Sequence, residues 1–356
     1  MNPLSKLPIV IASMSLGRAA VHDLEPKLAA AQEAGFDGIE VFWEDLVYHA
    51  KNYVSSKQRE DLSALELNEE AMVKSAEQCK ALCDKHGLSV LVLQPFTNYD
   101  GLVDKEKHEM MIAKMGVFIK VAKALGTDMI QIPSQMDSAG TTGEIDKIIQ
   151  DITEIGHLGL REDPPIRFAY EALSWGAHVN LWQQAWEVVD RVNLPNVGTV
   201  LDTYHILANV YGDPTRSSGQ REAGPADLAM SLNEMSRAGP NLVKKIFYIQ
   251  LSDAERLDPP LSPSHPFWDP EMKTRMMWSR NARLFPCEPE LGGYLPVKDV
   301  AKVLFEDIGY RGTVSLEVFS RSMFEPGERV PEEHAQRGMK SWRNMLSELE
   351  TKSESK

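Results

Sequence analysis

Short apolar runs alternate along the whole chain with longer stretches of helical period. The runs fall at 8–14, 38–43, 88–94, 128–132, 166–171, 197–202, 246–251 and 313–319. They are rich in β-branched residues and mostly continuous, the pattern of parallel strands covered on both faces. Helical patterns between them span about 24–34, 69–86, 105–125, 143–159, 178–192, 225–238, 298–308 and 332–350. In the third of these, Met111, Met115, Phe118, Ala122 and Leu125 step along one face and read as core packing. Eight such repeats predict an α/β fold of the closed (β/α)8 TIM-barrel class. An open doubly wound sheet is the alternative. It is disfavoured because no GxGxxG follows the first strand; Gly17 and Gly38 stand alone.

Two segments break the rhythm. Residues 211–224 form a polar loop ending in SSGQREAG. Residues 252–297 form an irregular insertion after the seventh strand, before the next helix or the eighth strand, with prolines at 259, 260, 263, 266, 270, 286 and 289. That insertion also carries Phe267, Trp268, Met276, Met277, Trp278, Leu284 and Phe285. So many large apolar groups predict a structured lid rather than a linker. The expected organisation is one barrel domain over 1–350, the lid included, and a polar tail over 351–356. GFDGIEVF near the start and GYRGTVSLEVF near the end form a weak internal echo.

Composition narrows the class. With 38 basic against 52 acidic side chains, the net charge of −14 over 356 residues disfavours nonspecific nucleic-acid binding. Cys79, Cys83 and Cys287 cannot build a disulfide framework, which fits a reducing compartment. Cys79 and Cys83, four apart on a helix, read as a buried reduced pair. The start runs straight into a strand without a signal-peptide core, and no apolar run approaches a bilayer span. A cytoplasmic protein is expected, with no membrane contact.

The chemistry gathers at the strand ends. Glu171, Asp202, Gln250 and Glu317 each interrupt an apolar run near a strand C-terminus. In a barrel these ends surround the active-site mouth. Buried carboxylates need compensation, by ion pairs or by a shared cation. Three carboxylates and an amide oxygen suit a hard divalent ion. His205, three residues beyond Asp202, is open to three readings: ligand, proton carrier or structural hydrogen-bonding group. Glu40, near the end of the second strand, is a candidate for substrate contact or for orienting the ligands.

With these residues in place the sequence resembles the fungal 3-dehydroshikimate dehydratases, within the xylose-isomerase-like, sugar-phosphate isomerase/epimerase barrel superfamily. The resemblance covers nearly the whole chain. It rests on MSLGR at 14–18, GFDGIEVFWEDL at 35–46, QPF at 94–96, YEALSWG at 170–176, LDTYHI at 201–206, YIQLSDAE at 248–255 and GYRGTVSLEVFSRSMFE at 309–325. It implies one divalent metal, Mg²⁺ or Mn²⁺ with Co²⁺ as a substitute, held by Glu171, Asp202, Gln250 and Glu317. It implies no nucleotide or flavin.

The implied reaction is dehydration of 3-dehydroshikimate to protocatechuate in quinate and shikimate catabolism, a hydro-lyase activity without ring cleavage. His205 is then the expected catalytic proton carrier. Arg283, with Arg18 and Arg321 as alternatives, is the expected partner of the substrate carboxylate. Phe96 and Trp175 are candidate covers for the ring. The partner is a small molecule rather than nucleic acid, and a homo-oligomer is compatible with this reading. A metal-dependent sugar isomerase or epimerase and a non-enzymatic metabolite-binding barrel remain the alternatives.

Overall fold

The computed structural model describes residues 3–55, 58 and 60–350. Eight parallel strands close on themselves: β1 (Ile9–Ala12), β2 (Gly38–Phe42), β3 (Ser89–Gln94), β4 (Met129–Pro133), β5 (Arg167–Glu171), β6 (Val197–Asp202), β7 (Ile246–Leu251) and β8 (Thr313–Leu316). Each pairs with its neighbours in sequence, and β8 closes the ring on β1 through Val10 opposite Ser315. The two echoing GxxG segments thus lead into β2 and β8, which flank β1. The expected tail at 351–356 lies outside the described residues.

Strand alternation sorts the barrel interior into layers. Val92, Met129, Ala169, Val200 and Tyr248 form a separate buried apolar cluster. Two residues further along four of these strands stand Gln94, Gln131, Glu171 and Asp202, all buried, and Gln250 follows Tyr248 in the same way. The apolar plug therefore floors a polar layer that opens toward the strand C-termini. Register aligns that layer: Asp202 lies opposite Gln250, and Gln250 opposite Ser315.

All eight expected helices form. Leu24–Ala34 and Lys105–Leu125 match in both bounds, and the span at 298–308 divides into a helix at Val297–Lys302 and a π-helical turn at Val303–Asp307. Four more helices, Trp43–Ala50, Leu62–Glu66, Thr203–Val210 and Thr274–Ala282, lie where no helix was expected. All eight residues of Thr203–Val210 are buried, so no polar face marked a helical period. Cys79 and Cys83 are buried free thiols. Among the described residues no helix is long and apolar enough to cross a membrane.

The insertion at 252–297 is folded against the barrel mouth. Asp253–Ala254 pairs antiparallel with Arg283–Leu284, and the Arg283 N–H donates to the Phe319 carbonyl at 3.0 Å. Between these strands runs the helix Thr274–Ala282. Its Trp278 is fully buried and donates through Nε1 to the Glu255 carbonyl at 2.9 Å. A Cβ on Gly212 would stand 2.8 Å from the Trp278 ring, so the 211–224 loop approaches the lid through a residue without a side chain. Lys273 Nζ donates to the carbonyls of Met136 at 3.1 Å and Trp175 at 2.9 Å, tying the lid to the loops after β4 and β5.

Candidate active site

Strand ends and helix starts share residues here, and this fixes the side chains. Asp202 ends β6 and caps the next helix, its Oδ1 accepting the Tyr204 N–H at 2.7 Å and the Ser252 hydroxyl at 3.0 Å. That helix begins at once, so His205 on its first turn leans back over the barrel. His205 Nε2 lies 3.7 Å from Asp202 Oδ2 and 3.8 Å from Glu171 Oε1. Glu171, Asp202 and His205 form a buried group whose ligand atoms lie within 4.8 Å of one another.

Arg283 reaches the same point from the lid ribbon. Its guanidinium is fully buried. Nη1 donates to Asp202 Oδ2 at 2.7 Å and Glu317 Oε2 at 3.1 Å, while Nη2 donates to His205 Nε2 at 2.9 Å. Glu317 Oε1 accepts from Gln94 Nε2 at 2.9 Å. Beneath, Glu40 is wholly buried and accepts from Gln94 at 2.7 Å, from Gln250 at 3.0 Å and from the Ser315 hydroxyl.

So many carboxylates in one dry volume push one another toward the neutral form. Burial, reinforced by Glu317, raises Glu40 to about 8. Burial lifts Glu317 to about 7 although Arg283 opposes it. Glu171 stands well above its ordinary range through burial and the charges of Glu317 and Asp202. Burial also raises Asp202, against Arg283. His205 is pushed well below its usual value by burial and by the Arg283 charge, so its ring is neutral at ordinary pH.

The donor set fits a hard cation. Glu171 Oε1 and Gln250 Oε1 are buried without a hydrogen-bond partner. Two unpaired oxygens beside a strained acidic cluster are what an oxygen-ligated divalent ion would relieve. Asp202 and Glu317 already have both oxygens engaged, one on Arg283 and the other on Tyr204 and Ser252 or on Gln94, so an ion would share or displace these bonds.

Both nitrogens of the neutral His205 ring face donors. The Ser174 N–H donates to Nδ1 at 2.9 Å, with the Ser174 hydroxyl 3.2 Å from the same nitrogen, and Arg283 Nη2 donates to Nε2 at 2.9 Å. Base action at Nε2 needs the proton on Nδ1, facing the Ser174 hydroxyl rather than its N–H, and Arg283 turned from the Nε2 lone pair.

A cavity of about 120 Å³ opens over this cluster. Glu171, His205, Arg283, Glu317 and Gln94 line its polar side, and Phe42, Pro95, Pro133, Leu173, Trp175 and Phe319 its apolar side. Trp175 stands over the His205 ring at 4.8 Å between centroids.

Other expected contacts lie elsewhere. Phe96 is fully buried against Tyr99 and Phe118, so it is a core residue and not a cover for the cavity. Arg18 is spent on Glu44 at 2.5 Å, and Arg321 on Glu255 at 2.6 Å; neither lines the cavity. Arg283 does line it, but its charge faces the protein's own carboxylates rather than standing free for a ligand's. Glu40 lies under the cluster and not on the cavity wall. Sequence reasoning missed Gln94, Ser174 and Arg280. Gln94 ends β3 inside the quoted QPF, and Arg280 stands three residues before Arg283, but neither has a spacing that marks it out.

A family model described as the xylose isomerase-like TIM barrel matches residues 28–345. A 3-dehydroshikimate dehydratase of Neurospora crassa is 44% identical over 344 residues, 96% of this chain and 94% of that protein. One of Pseudomonas putida is 29% identical over 300 residues, 83% of this chain but 36% of the longer bacterial protein. A solved xylose isomerase-like TIM barrel/4-hydroxyphenylpyruvate dioxygenase fusion protein superposes with a TM-score of 0.71 and 26% identity, over 98% of this chain and 44% of that one.

Proposed function

The chain belongs to the xylose isomerase-like TIM-barrel family, and from that premise we propose that it dehydrates 3-dehydroshikimate to protocatechuate and water. The observation that carries the reading is the buried grouping of Glu171, Asp202 and a neutral His205 at the floor of the cavity, with unpaired oxygens on Glu171 and Gln250. Residues 1–350 act as one barrel domain with 252–297 as its lid, in the cytoplasm. Glu171, Asp202, Gln250 and Glu317 hold a divalent ion, Mg²⁺ or Mn²⁺ by the hardness of the donors. Bound there, such an ion supplies positive charge for an oxygen that turns negative as a neighbouring proton leaves.

The substrate's C4 hydrogen is acidified by the C3 ketone. His205 takes it as general base at Nε2 once Nδ1–H faces the Ser174 hydroxyl and Arg283 Nη2 has turned from Nε2. The Arg283 charge beside Nε2 opposes the imidazolium that forms and so favours passing the proton on to the leaving hydroxyl. Loss of the C5 hydroxyl as water and tautomerisation then give the aromatic ring, which draws the reaction forward. Trp175 and the lid exclude water from the cavity.

The test is direct. Protein given Mn²⁺ and 3-dehydroshikimate should release a product with the mass and aromatic absorbance of protocatechuate. Binding without turnover by folded, metal-loaded protein would instead indicate a metabolite-binding barrel. Epimerisation of a ketose with no aromatic product would indicate a sugar epimerase.

A further inference from the structure

We propose that Arg280, on the lid helix, binds the carboxylate of the substrate. The proposal rests on the dehydration reading, because it is that reaction whose substrate is a small carboxylated ring.

The argument is one of unspent charge. Five other cationic side chains of the lid and of the loops packed near it each have an oxygen partner. Arg18 pairs with Glu44, Arg321 with Glu255, and Arg283 with Asp202 and Glu317. Lys273 is tied to two backbone carbonyls, and Arg275 Nη1 faces the Ser174 carbonyl at 3.4 Å. Arg280 lines the cavity, yet its one hydrogen-bond contact among the described residues is to Met272 Sδ at 3.8 Å. Asp269 acts on it from a distance but forms no ion pair with it, while the like charge of Arg18 opposes it. A guanidinium at a cavity rim with no carboxylate partner is complementary to an anion, which it binds in a bidentate fork.

Position separates the two ends of the ligand. Ser279, Arg280 and Arg283 line the cavity from one lid segment; Arg283 bonds Glu317 and His205 directly, while Arg280 touches none of the acidic cluster. The ketone at C3 and the hydrogen at C4 must meet the floor, and the carboxylate sits on C1, across the ring from C4. A carboxylate held at the rim by Arg280 leaves the ketone and hydroxyls for the floor. The lid thereby sets which end of the ring enters first.

Steady-state kinetics on Arg280→Gln and Arg280→Lys test this, with inhibition by protocatechuate compared against 3,4-dihydroxybenzamide, which lacks the charge. Arg280→Gln is expected to raise KM about 10- to 100-fold with kcat changed less than about threefold, the signature of lost charge-assisted binding. Arg280→Lys should recover part of the loss. Inhibition by protocatechuate should weaken in the same ratio, while inhibition by the amide stays unchanged. An unaltered KM in Arg280→Gln overturns the assignment, as does a fall in kcat alone or an equal loss of acid and amide inhibition. If the parent protein forms no protocatechuate, the dehydration reading falls and this proposal with it. If the parent turns over and Arg280→Gln keeps its KM, only Arg280 is wrongly assigned.

Discussion

Arg280, in the last turn of the lid helix, and Arg283, the first residue past its end, stand three residues apart, and their surroundings differ in almost every respect. Arg283 is fully buried, carried inward by the two-residue ribbon that pairs it with Ala254, and it touches Asp202, Glu317 and His205. Arg280 is exposed at the rim and touches no oxygen among the described residues. One arginine neutralises charge the barrel has placed on itself; the other is left for charge that arrives from outside. The contrast shows how one inserted segment can both complete a catalytic floor and read a ligand. Removing a buried ionic partner costs far more than removing an exposed one.

The largest effect should come from the floor itself. Glu171→Gln keeps the shape but removes a charge and an unpaired oxygen, and should lower turnover about 10³-fold or more, the several kcal/mol a catalytic cation supplies. Divalent-ion titration by calorimetry should show weakened binding in the same variant. Arg283→Met comes next. It leaves Asp202 and Glu317 buried without their partner and should cost about 3–5 kcal/mol in chemical denaturation, part of it regained on adding Mn²⁺. Arg280→Gln, measured beside it, should change stability by no more than about 0.5 kcal/mol.

His205→Gln should follow, with fold and metal occupancy near normal and kcat reduced about 10²-fold. Equal loss of metal and activity would move His205 from proton carrier to ligand.

A smaller effect tests the same principle away from the cavity. His334, on the helix Val330–Glu350, bonds the Ser15 carbonyl at 2.7 Å and the Ser322 hydroxyl at 2.9 Å. Ser15 Oγ in turn bonds the backbone of Val318, beside Glu317. Burial and the Arg337 charge lower His334 to about 4, so the folded protein favours the neutral ring. Between the ordinary value near 6.5 and about 4 the unfolded chain binds a proton that the folded one does not, so stability falls as pH drops through that window. Relative to His334→Gln, the parent should lose roughly 2 kcal/mol between pH 7 and pH 5, read from paired denaturation curves.

Much of this was legible in the chain, and what was not has physical causes. The eight strands could be read because parallel strands buried on both faces leave continuous apolar runs, and Glu171, Asp202 and Gln250 stand out by interrupting them. Helices that bury every residue, such as Thr203–Val210, leave no such trace. The lid helix is hidden between prolines. The sequence ranked Arg283 first for the substrate carboxylate and passed over Arg280, because Arg18, Arg280, Arg283 and Arg321 differ only in which carboxylates the fold brings to them. Phe96 was misplaced for a similar reason: a large ring beside a strand end looks the same whether it faces the cavity or Phe118.

The most direct test of a cation on the barrel floor and a carboxylate reader on the lid is an anomalous-scattering map of the protein crystallised with Mn²⁺ and protocatechuate. The account predicts one strong peak among Glu171, Asp202, Gln250 and Glu317, with the product's carboxylate turned away from it toward Arg280. A peak instead at His108, Asp151 and Glu154, the other described group able to hold an ion, or a carboxylate turned down onto Glu171, would contradict it.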